Sequence, residues 1–236
     1  MANRVLITGG NKGIGISITR LFLEKGDDVV VVARDFTDFE FVGDKRVTTI
    51  AYDLSNVRGI PQLIGQIGDI DILVNNAGAS TGLTAEEYTE EARTYITNLD
   101  LVAPVLLITE FLSKIKAKGK GRVVNVASQA GEFGHCDIWY GALKAGLINV
   151  TKSFAGIYGR YGLVINAVSP GPVDIDKIRE SKFKDRYERI KSRTILKRYA
   201  STEEVAQLVY WLAKESPDYL NGQNYLINNG VTSLEA

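Results

Sequence analysis

Three side chains in the middle of the chain have the types and spacing of an acid–base group. Tyr140 and Lys144 are four residues apart, so both lie on one face if this stretch is helical. A tyrosine has an ordinary pKa of about 10, and a neighbouring ammonium lowers that pKa by stabilising the phenolate. Such a phenol can give a proton to a carbonyl oxygen or take one from an alcohol. Ser128, after a predicted strand, can donate a hydrogen bond to the same oxygen.

A glycine-rich turn near the start of the chain predicts a dinucleotide site. Gly9, Gly13 and Gly15 lie between the first predicted strand and a predicted helix. Glycines let the backbone turn sharply and approach a pyrophosphate, and the free N–H groups of the following helix point at the anion. A plain strand–helix turn has similar glycines, but the position after the first strand favours the cofactor interpretation.

The rest of the chain predicts the elements that position these residues. Short apolar runs alternate with stretches of helical period, which indicates an α/β fold: a doubly wound parallel sheet (Rossmann-type) of about seven strands, with helices on both faces. The predicted strands are residues 5–8, 29–33, 47–52, 72–75, 122–127, 164–168 and 225–227. The predicted helices are about 14–25, 60–67, 101–116, 143–158 and 203–214, with C-caps at Gly26 and Gly159 and an N-cap at Thr202. One domain over residues 1–236 is expected.

Composition argues against several classes of protein. The chain has 28 Lys and Arg against 28 Asp and Glu, and zero net charge is atypical of a nucleic-acid or membrane-surface protein. The one cysteine, Cys136, indicates a reducing, cytoplasmic setting. One histidine and one cysteine do not make a His/Cys metal site. We also expect no signal peptide and no membrane-spanning run.

The motifs together resemble the short-chain dehydrogenase/reductase family of the classical type over nearly the whole chain. The resemblance rests on the T-G-x-x-x-G-x-G turn, on Asn75-Asn76-Ala77-Gly78, on Ser128 with Tyr140 and Lys144, and on Pro170-Gly171. It implies an oxidoreductase that transfers a hydride between a nicotinamide dinucleotide and a small carbonyl or alcohol. It also implies that Lys144 holds the nicotinamide ribose and that Asn98 holds a water in a proton relay.

The resemblance further implies a set of cofactor-binding residues; no metal site is expected. Asp53 would contact the adenine, and Asn75 would stabilise the central strands. The full implied set is Gly9, Asn11, Lys12, Gly13, Ile14, Gly15, Arg34, Asp53, Leu54, Asn76, Ala77, Gly78, Tyr140, Lys144, Pro170, Gly171 and Val173.

The residues near the second strand favour NADP(H) over NAD(H). Sites that prefer NAD place a carboxylate at the end of this strand to bind the ribose 2′-hydroxyl. Here Ala33 is followed by Arg34, and Lys12 lies in the glycine turn. Two cations suit a 2′-phosphate. NAD(H) stays the alternative because Asp35 is adjacent and because both cations can also be solvated surface charges.

Three departures from the family pattern affect the substrate and adenosine regions. The stretch from Ser128 to Tyr140 is one residue shorter than is common, and Ile175 stands where a threonine is frequent. Residues 35–46 are too few for a full crossover helix. Residues 175–198 match the family's substrate lid and carry ten Lys and Arg against four acids. This charge could favour an anionic thioester or phosphorylated substrate, although a solvated helix is the favoured interpretation.

Several functions remain open at this point. The leading prediction is an NADP(H)-dependent ketone or aldehyde reductase, with a 3-oxoacyl-thioester reductase among the candidates. An NAD-dependent sugar or polyol dehydrogenase is the enzymatic alternative. A catalytically silent dinucleotide-binding regulator is the other class, and the presence of Asn98, Ser128, Tyr140 and Lys144 argues against it. The resemblance also implies a homo-oligomer, a dimer or a tetramer, and we expect a homotetramer.

Overall fold

The computed structural model describes residues 2–175 and 184–231. Within them the strands form one parallel sheet of order β3-β2-β1-β4-β5-β6-β7. The strands are β1 (Arg4–Thr8), β2 (Asp28–Ala33), β3 (Val47–Ala51), β4 (Ile72–Asn75), β5 (Gly121–Val126), β6 (Leu163–Pro170) and β7 (Asn224–Ile227). The predicted doubly wound sheet of seven strands is therefore confirmed.

Helices cover both faces of the sheet. They are α1 (Gly13–Glu24), α2 (Ile60–Ile67), α3 (Glu90–Thr97), α4 (Ala103–Lys118), α5 (Ala130–Phe133), α6 (Ile138–Tyr158), α7 (Lys184–Arg193) and α8 (Thr202–Lys214). A π-helical turn, Asn98–Val102, joins α3 to α4, and short 3-10 turns lie at Val57–Gly59 and Gly159–Tyr161.

Two apolar layers hold the helices to the sheet, because successive strand residues point to opposite faces. On one face, Ile18 and Phe22 of α1 and Val209 of α8 pack against Val5 and Ile7 of β1. On the other face, helices α2 and α4 pack against the strand residues that point to that side. This layer contains Leu63 of α2, Leu107 and Phe111 of α4, Leu6 of β1, Leu73 of β4 and Ile165 of β6. Burial on both faces explains why strands such as β1 and β2 contain continuous apolar runs.

Local hydrogen bonds moved several helix boundaries from their predicted places. The N-cap of α8 is Ser201, so the prediction of Thr202 was wrong: the Ser201 hydroxyl accepts from the Glu204 N–H, and the Glu204 carboxylate accepts from the Ser201 N–H. Gly26 follows α1 with a φ of 86°, as a C-terminal glycine should. Gly159 ends α6, but the left-handed turn comes at Gly162, whose φ is 88°.

Helices α3, α5 and α7 were not predicted. The helix predicted at 101–116 corresponds to α4, Ala103–Lys118, which follows the π turn without a break. The stretch Glu90–Lys118, which includes α3, the π turn and α4, is long and apolar enough by composition to span a membrane. Half of its most apolar window is buried within the protein. That burial is typical of a helix packed on a sheet.

A chain of buried amides links the central strands. Asn75 Nδ2 donates to Asn125 Oδ1 at 2.9 Å, which joins β4 to β5. Asn125 Nδ2 in turn donates to Thr151 Oγ1 of α6 at 2.9 Å. The side chain of Asn75 thus contacts the neighbouring strand, as the family resemblance implied.

Candidate active site

The carboxyl ends of β1 and β4 meet where the strand order reverses, which is the place where such sheets bind ligands. The Thr8 hydroxyl accepts from the N–H groups of Asn76 and Ala77, both at 3.0 Å. Asn76 Nδ2 donates to the carbonyls of Thr8 at 3.0 Å and of Gly9 at 3.1 Å. These bonds bring the glycine turn and the Asn76-Ala77-Gly78 segment together.

The glycine turn leaves the start of α1 open to an anion. Lys12 occupies the N-cap and provides no side-chain hydrogen bond, so the first N–H groups of the helix keep their donor capacity. Gly9 and Gly13 have φ values of 64° and 55°, a region that favours glycine. A Cβ on Gly15 would lie 2.0 Å from the Gly9 carbonyl oxygen. The turn therefore fits the pyrophosphate of a dinucleotide.

The predicted adenosine-end residues lie around the end of β2. Asn11 Nδ2 donates to the Asp35 carbonyl at 2.9 Å, which ties the glycine turn to the segment after β2. Arg34 is exposed, and its Nη1 donates to the Tyr95 hydroxyl at 3.2 Å. Lys12 is also exposed. Residues 35–46 contain no helix, as predicted.

Asp53 and Asn98 both form hydrogen bonds with Ser55, in the segment that follows β3. Asp53 Oδ1 accepts from the Ser55 N–H at 2.9 Å, and Leu54 is buried. Asn98 Nδ2 donates to the Ser55 carbonyl at 3.0 Å from within the π turn. In the part of the chain that the structure describes, no hydrogen bond joins Asn98 to Lys144, so its part in a proton relay stays a prediction.

Ser128 lies in a turn that packs directly on helix α6. Its hydroxyl accepts from the Ala130 N–H at 3.1 Å. A Cβ on Gly131 would lie 2.6 Å from the Ala145 nitrogen and 2.7 Å from the Lys144 carbonyl carbon. The glycine of the Ser-x-x-Gly pattern therefore allows the Ser128 turn to approach the α6 backbone.

Tyr140 and Lys144 lie together in the first turns of α6. Lys144 Nζ is 5.7 Å from the centroid of the Tyr140 ring. Lys144 is only 3% exposed, and its Nζ donates to the Val126 carbonyl at 3.3 Å. Its Nζ also lies 3.6 Å from Oδ2 of Asp100, a residue that sequence reasoning missed. A buried ammonium next to a half-exposed phenol is the arrangement that acid–base chemistry on a carbonyl requires.

The end of β6 closes the site beside Ser128. The Pro170 carbonyl accepts from the Gln129 N–H at 3.0 Å. A Cβ on Gly171 would lie 2.6 Å from Cβ of Asn228, so this glycine lets β6 and the end of β7 come close. Pro170 and Gly171 therefore lie at the carboxyl ends of the strands, beside the catalytic candidates.

The segment after Gly171 turns back toward the glycine loop. Val173 forms a parallel bridge with Ala200, and the Ala200 N–H donates to the Pro172 carbonyl at 2.9 Å. Cγ2 of Ile175 lies 3.8 Å from the position of a Cβ on Gly13. Ile175, which stands where the family often has threonine, is thus an apolar neighbour of the glycine turn.

Asp137, also missed at the sequence level, connects Tyr140 to the loop after β4. It is 1% exposed and caps α6. Burial alone raises the pKa of its carboxyl, but hydrogen bonds, foremost from the Tyr88 hydroxyl and the Tyr140 N–H, lower it to about 2. Burial, together with the hydrogen bond to Asp137, raises the pKa of Tyr88 to about 12. The donors to Asp137 are Ser80 Oγ, the Thr81 N–H and Oγ1, the Gly82 N–H, Tyr88 Oη and the Tyr140 N–H.

Asp137→Asn is expected to destabilise the protein at neutral pH and to weaken its acid dependence. The folded-state pKa of about 2 lies below the ordinary value of 3.8, so the charged carboxylate contributes stability above about pH 4 and loses it as pH falls toward 2. The shift corresponds to about 2 kcal/mol. Urea unfolding at pH 7 and pH 3 measures the difference between the two proteins.

The matched control is Asp38→Asn, an exposed carboxylate between β2 and β3, which should change the unfolding free energy by less than about 0.5 kcal/mol. The destabilisation of the Asp137 variant should shrink between pH 7 and pH 3. A difference that is equal at both pH values would contradict the hydrogen-bonded carboxylate as its cause.

His135 lies in the loop between α5 and α6 and contacts the Tyr140 ring. It is half-buried, and its ring centroid lies 5.4 Å from that of Tyr140 in an edge-on contact. Its Nδ1 accepts from the Asp137 N–H at 3.1 Å. His135 therefore packs against the proposed proton donor.

A family model described as enoyl-(acyl carrier protein) reductase matches residues 9–232. The chain belongs to the short-chain dehydrogenase/reductase family. It is 31% identical over 230 residues to the 3-oxoacyl-(acyl-carrier-protein) reductase FabG of Rickettsia prowazekii (strain Madrid E), covering 96% of this chain and 95% of that protein. It is 28% identical over 239 residues to the acetoacetyl-CoA reductase of Shinella zoogloeoides, covering 98% of each.

A solved dehydrogenase structure has the same fold. The structure described as 4-hydroxyisoleucine dehydrogenase complexed with NADH superposes with a TM-score of 0.92 at 26% identity, over 99% of this chain and 100% of that one. These similarities identify the chain as an NAD(P)-dependent dehydrogenase/reductase.

The predicted substrate lid is residues 175–198. Its part 176–183 lies outside the described residues. Its C-terminal part is attached to the end of β7, where the Leu196 N–H donates to Asn229 Oδ1 at 2.7 Å. Arg198 forms two hydrogen bonds to the Glu204 carboxylate, at 2.8 and 2.7 Å. This arginine is paired with a carboxylate of α8, so that part of the charge run is neutralised within the protein.

Proposed function

We propose that the chain is an NADP(H)-dependent reductase of small ketones and aldehydes, with 3-oxoacyl thioesters as its substrate class. The observation that carries the proposal is the pairing of Tyr140 with the buried ammonium of Lys144 beside the open start of α1. This arrangement suits the protonation of a carbonyl oxygen next to a bound dinucleotide.

A dinucleotide bound at the glycine turn would supply the hydride that the substrate carbonyl carbon accepts. Tyr140 gives its phenolic proton to the carbonyl oxygen, while the Ser128 hydroxyl donates a hydrogen bond to that oxygen. The charge of Lys144 favours the phenolate that remains. Lys144 also holds the nicotinamide ribose, and a water held at Asn98 resupplies the proton. Oxidation of an alcohol follows the same steps in reverse.

The substrate class is supported by relatives and by exposed apolar side chains. Two relatives are named as reductases of a 3-oxoacyl-(acyl-carrier-protein) and of acetoacetyl-CoA. Phe133, Ile138 and Trp139 are exposed in and after the Ser128 turn, and Ile195 and Leu196 are exposed in the segment attached to β7. These side chains suit an acyl chain that approaches Tyr140 from solvent.

The preference for NADP(H) rests on two exposed cations. Arg34 directly follows β2, and Lys12 lies at the start of α1. A guanidinium binds a phosphate with two N–H groups, and such charge-assisted bonds are about twice as strong as neutral ones. The second candidate is an NAD-dependent dehydrogenase, which the NADH-bound structural neighbour favours.

A substrate and cofactor panel tests the proposal. With acetoacetyl-CoA, kcat/KM should be at least about tenfold higher with NADPH than with NADH, because Arg34 and Lys12 can bind the 2′-phosphate. Arg34→Ala should remove most of this preference and leave the NADH value nearly unchanged. Lys45→Ala, in the connection before β3, is the matched surface control. A clear NADH preference, or turnover of sugars and polyols alone, would contradict the proposal.

A further inference from the structure

A buried ion pair joins Lys144 to the π turn before α4. Lys144 is 3% exposed and Asp100 is 0% exposed. Asp100 Oδ2 lies 3.6 Å from Lys144 Nζ, close enough for an ion pair though longer than a hydrogen bond. Among the described residues, Asp100 is the only carboxylate within 4.0 Å of this ammonium.

The backbone fixes the Asp100 carboxylate in place. Its Oδ1 accepts from the Ala79 N–H at 2.9 Å, directly after the Asn76-Ala77-Gly78 segment. Asp100 itself lies inside the π turn Asn98–Val102, and such turns are frequent at functional sites. The carboxylate therefore cannot move far without losing its hydrogen bond to the loop after β4.

Gly78 makes room for the pair. A Cβ on Gly78 would lie 2.8 Å from Lys144 Nζ and 3.2 Å from Asp100 Oδ1. Any side chain at this position would push the ammonium away from the carboxylate. The glycine that ends the Asn-Asn-Ala-Gly motif thus leaves the space in which the two charges meet.

Stability alone does not account for the arrangement. Asp100 Oδ2 is buried and has no hydrogen-bond partner among the described residues. Burial raises the pKa of Asp100, and the charge of Lys144 opposes that rise. Buried ion pairs with an unsatisfied oxygen are usually no more stable than apolar packing of the same volume. A role in the chemistry of Lys144 explains the pair better.

We propose that Asp100 is a positioning residue that holds the Lys144 ammonium in the space beside Gly78 and keeps it charged. A lysine has a long, flexible stem, and a fixed counter-ion limits where its nitrogen lies. A buried ammonium without a counter-ion gives up its proton more readily than a paired one. The inference rests on the proposed function, in which Lys144 must be charged to support Tyr140.

Other ionisable groups surround the pair and stay in place in the test. Tyr140 is on the same helix as Lys144, with its ring centroid 5.7 Å from Nζ. Asp137, at the start of that helix, acts electrostatically on Asp100, and Asp100 acts on Tyr88. Because these groups are common to every variant below, changes in the pH profile report on Asp100.

Asp100→Asn removes the charge and keeps the acceptor for the Ala79 N–H. We expect kcat to fall at least about tenfold at pH 7, with the dissociation constant of the dinucleotide within about fivefold of wild type. The alkaline side of the kcat profile should move to lower pH, because the unpaired ammonium loses its proton earlier. Asp100→Glu, which restores the charge, should recover the alkaline side of the profile. An Asp100→Asn enzyme with kcat within about twofold and an unchanged profile would overturn the proposal.

Thermal unfolding of Asp100→Asn, Lys144→Met and the double variant provides a readout that needs no turnover. Each single change should lower Tm by about 5 °C or more, and the double variant should lose clearly less than the sum. If Asp100→Asn cannot be isolated, recovery of the folded double variant supports the pair. Additive losses, or failure of both proteins to fold, overturn it. A wild-type enzyme inactive toward every substrate contradicts the proposed function, whereas the unfolding cycle still tests the pair.

Discussion

Replacing Tyr140 with phenylalanine is expected to lower kcat by about a thousandfold, within the range that positioned acid–base groups contribute. The substitution removes the hydroxyl that, in the proposed reaction, gives its proton to the substrate oxygen. It keeps the ring that packs against His135 at 5.4 Å and lies 5.7 Å from Lys144 Nζ. The fold and the glycine turn should therefore be unaffected.

Two measurements separate lost chemistry from lost structure in this variant. The dissociation constant of the dinucleotide, followed by fluorescence, should stay within about threefold of wild type, because the pyrophosphate site lies at α1. Tyr158→Phe changes a tyrosine at the other end of α6 and should leave kcat within about twofold. A Tyr140→Phe enzyme that retains wild-type kcat would show that another group supplies the proton.

Gly15→Ala is expected to weaken dinucleotide binding by at least about a hundredfold, since a displaced cofactor loop loses several bonds to the pyrophosphate. The added Cβ would lie 2.0 Å from the Gly9 carbonyl oxygen and 2.7 Å from Asn76 Nδ2. Both atoms belong to the junction of β1 and β4, so the turn must move for the methyl group to fit. Calorimetric titration with NADPH measures the loss of affinity.

Gly65→Ala is the matched control for this change. Gly65 is an exposed helical glycine of α2, and nothing lies within 4 Å of its added Cβ. The variant should be more stable than wild type by about 0.5–1 kcal/mol, because alanine is the better helix former, and should bind the dinucleotide normally. A Gly15→Ala protein with wild-type affinity would mean that the turn does not hold the pyrophosphate.

The sheet could be predicted from the sequence because burial on both faces leaves a plain signal. Strands β1 and β2 contain the continuous apolar runs Val5–Ile7 and Val29–Ala33, each flanked by polar residues or glycine. Helix α3 could not be predicted in this way, because its Glu90–Thr97 stretch is polar and its start depends on the Thr89 side chain, which accepts from the Ala92 N–H. Helix α6 begins at Ile138, earlier than predicted, because Asp137 caps it.

The motif residues of the site were predictable, but the groups that hold them were not. Spacing alone placed Tyr140 and Lys144 on one helix face. Asp137 has a local signal, an aspartate three residues before Tyr140 in an N-cap position. Asp100 has none, since its meeting with Lys144 depends on the π turn and on the space left by Gly78.

Several properties expected from the sequence stay predictions. They are the homotetramer, the cytoplasmic setting indicated by the exposed thiol of Cys136, and the absence of nucleic-acid and membrane partners. The closing lid also stays a prediction, because 176–183 lie outside the described residues.

A crystal structure of the chain with bound NADP⁺ is the most direct test of the central claim that Tyr140 and Lys144 act beside a nicotinamide ring held by the glycine turn. We predict that the pyrophosphate lies at the N-terminus of α1. Lys144 Nζ should contact the nicotinamide ribose, with the Tyr140 hydroxyl facing the ring. A complex in which the phenol points away from the ring, or in which the dinucleotide lies elsewhere on the sheet, would contradict it.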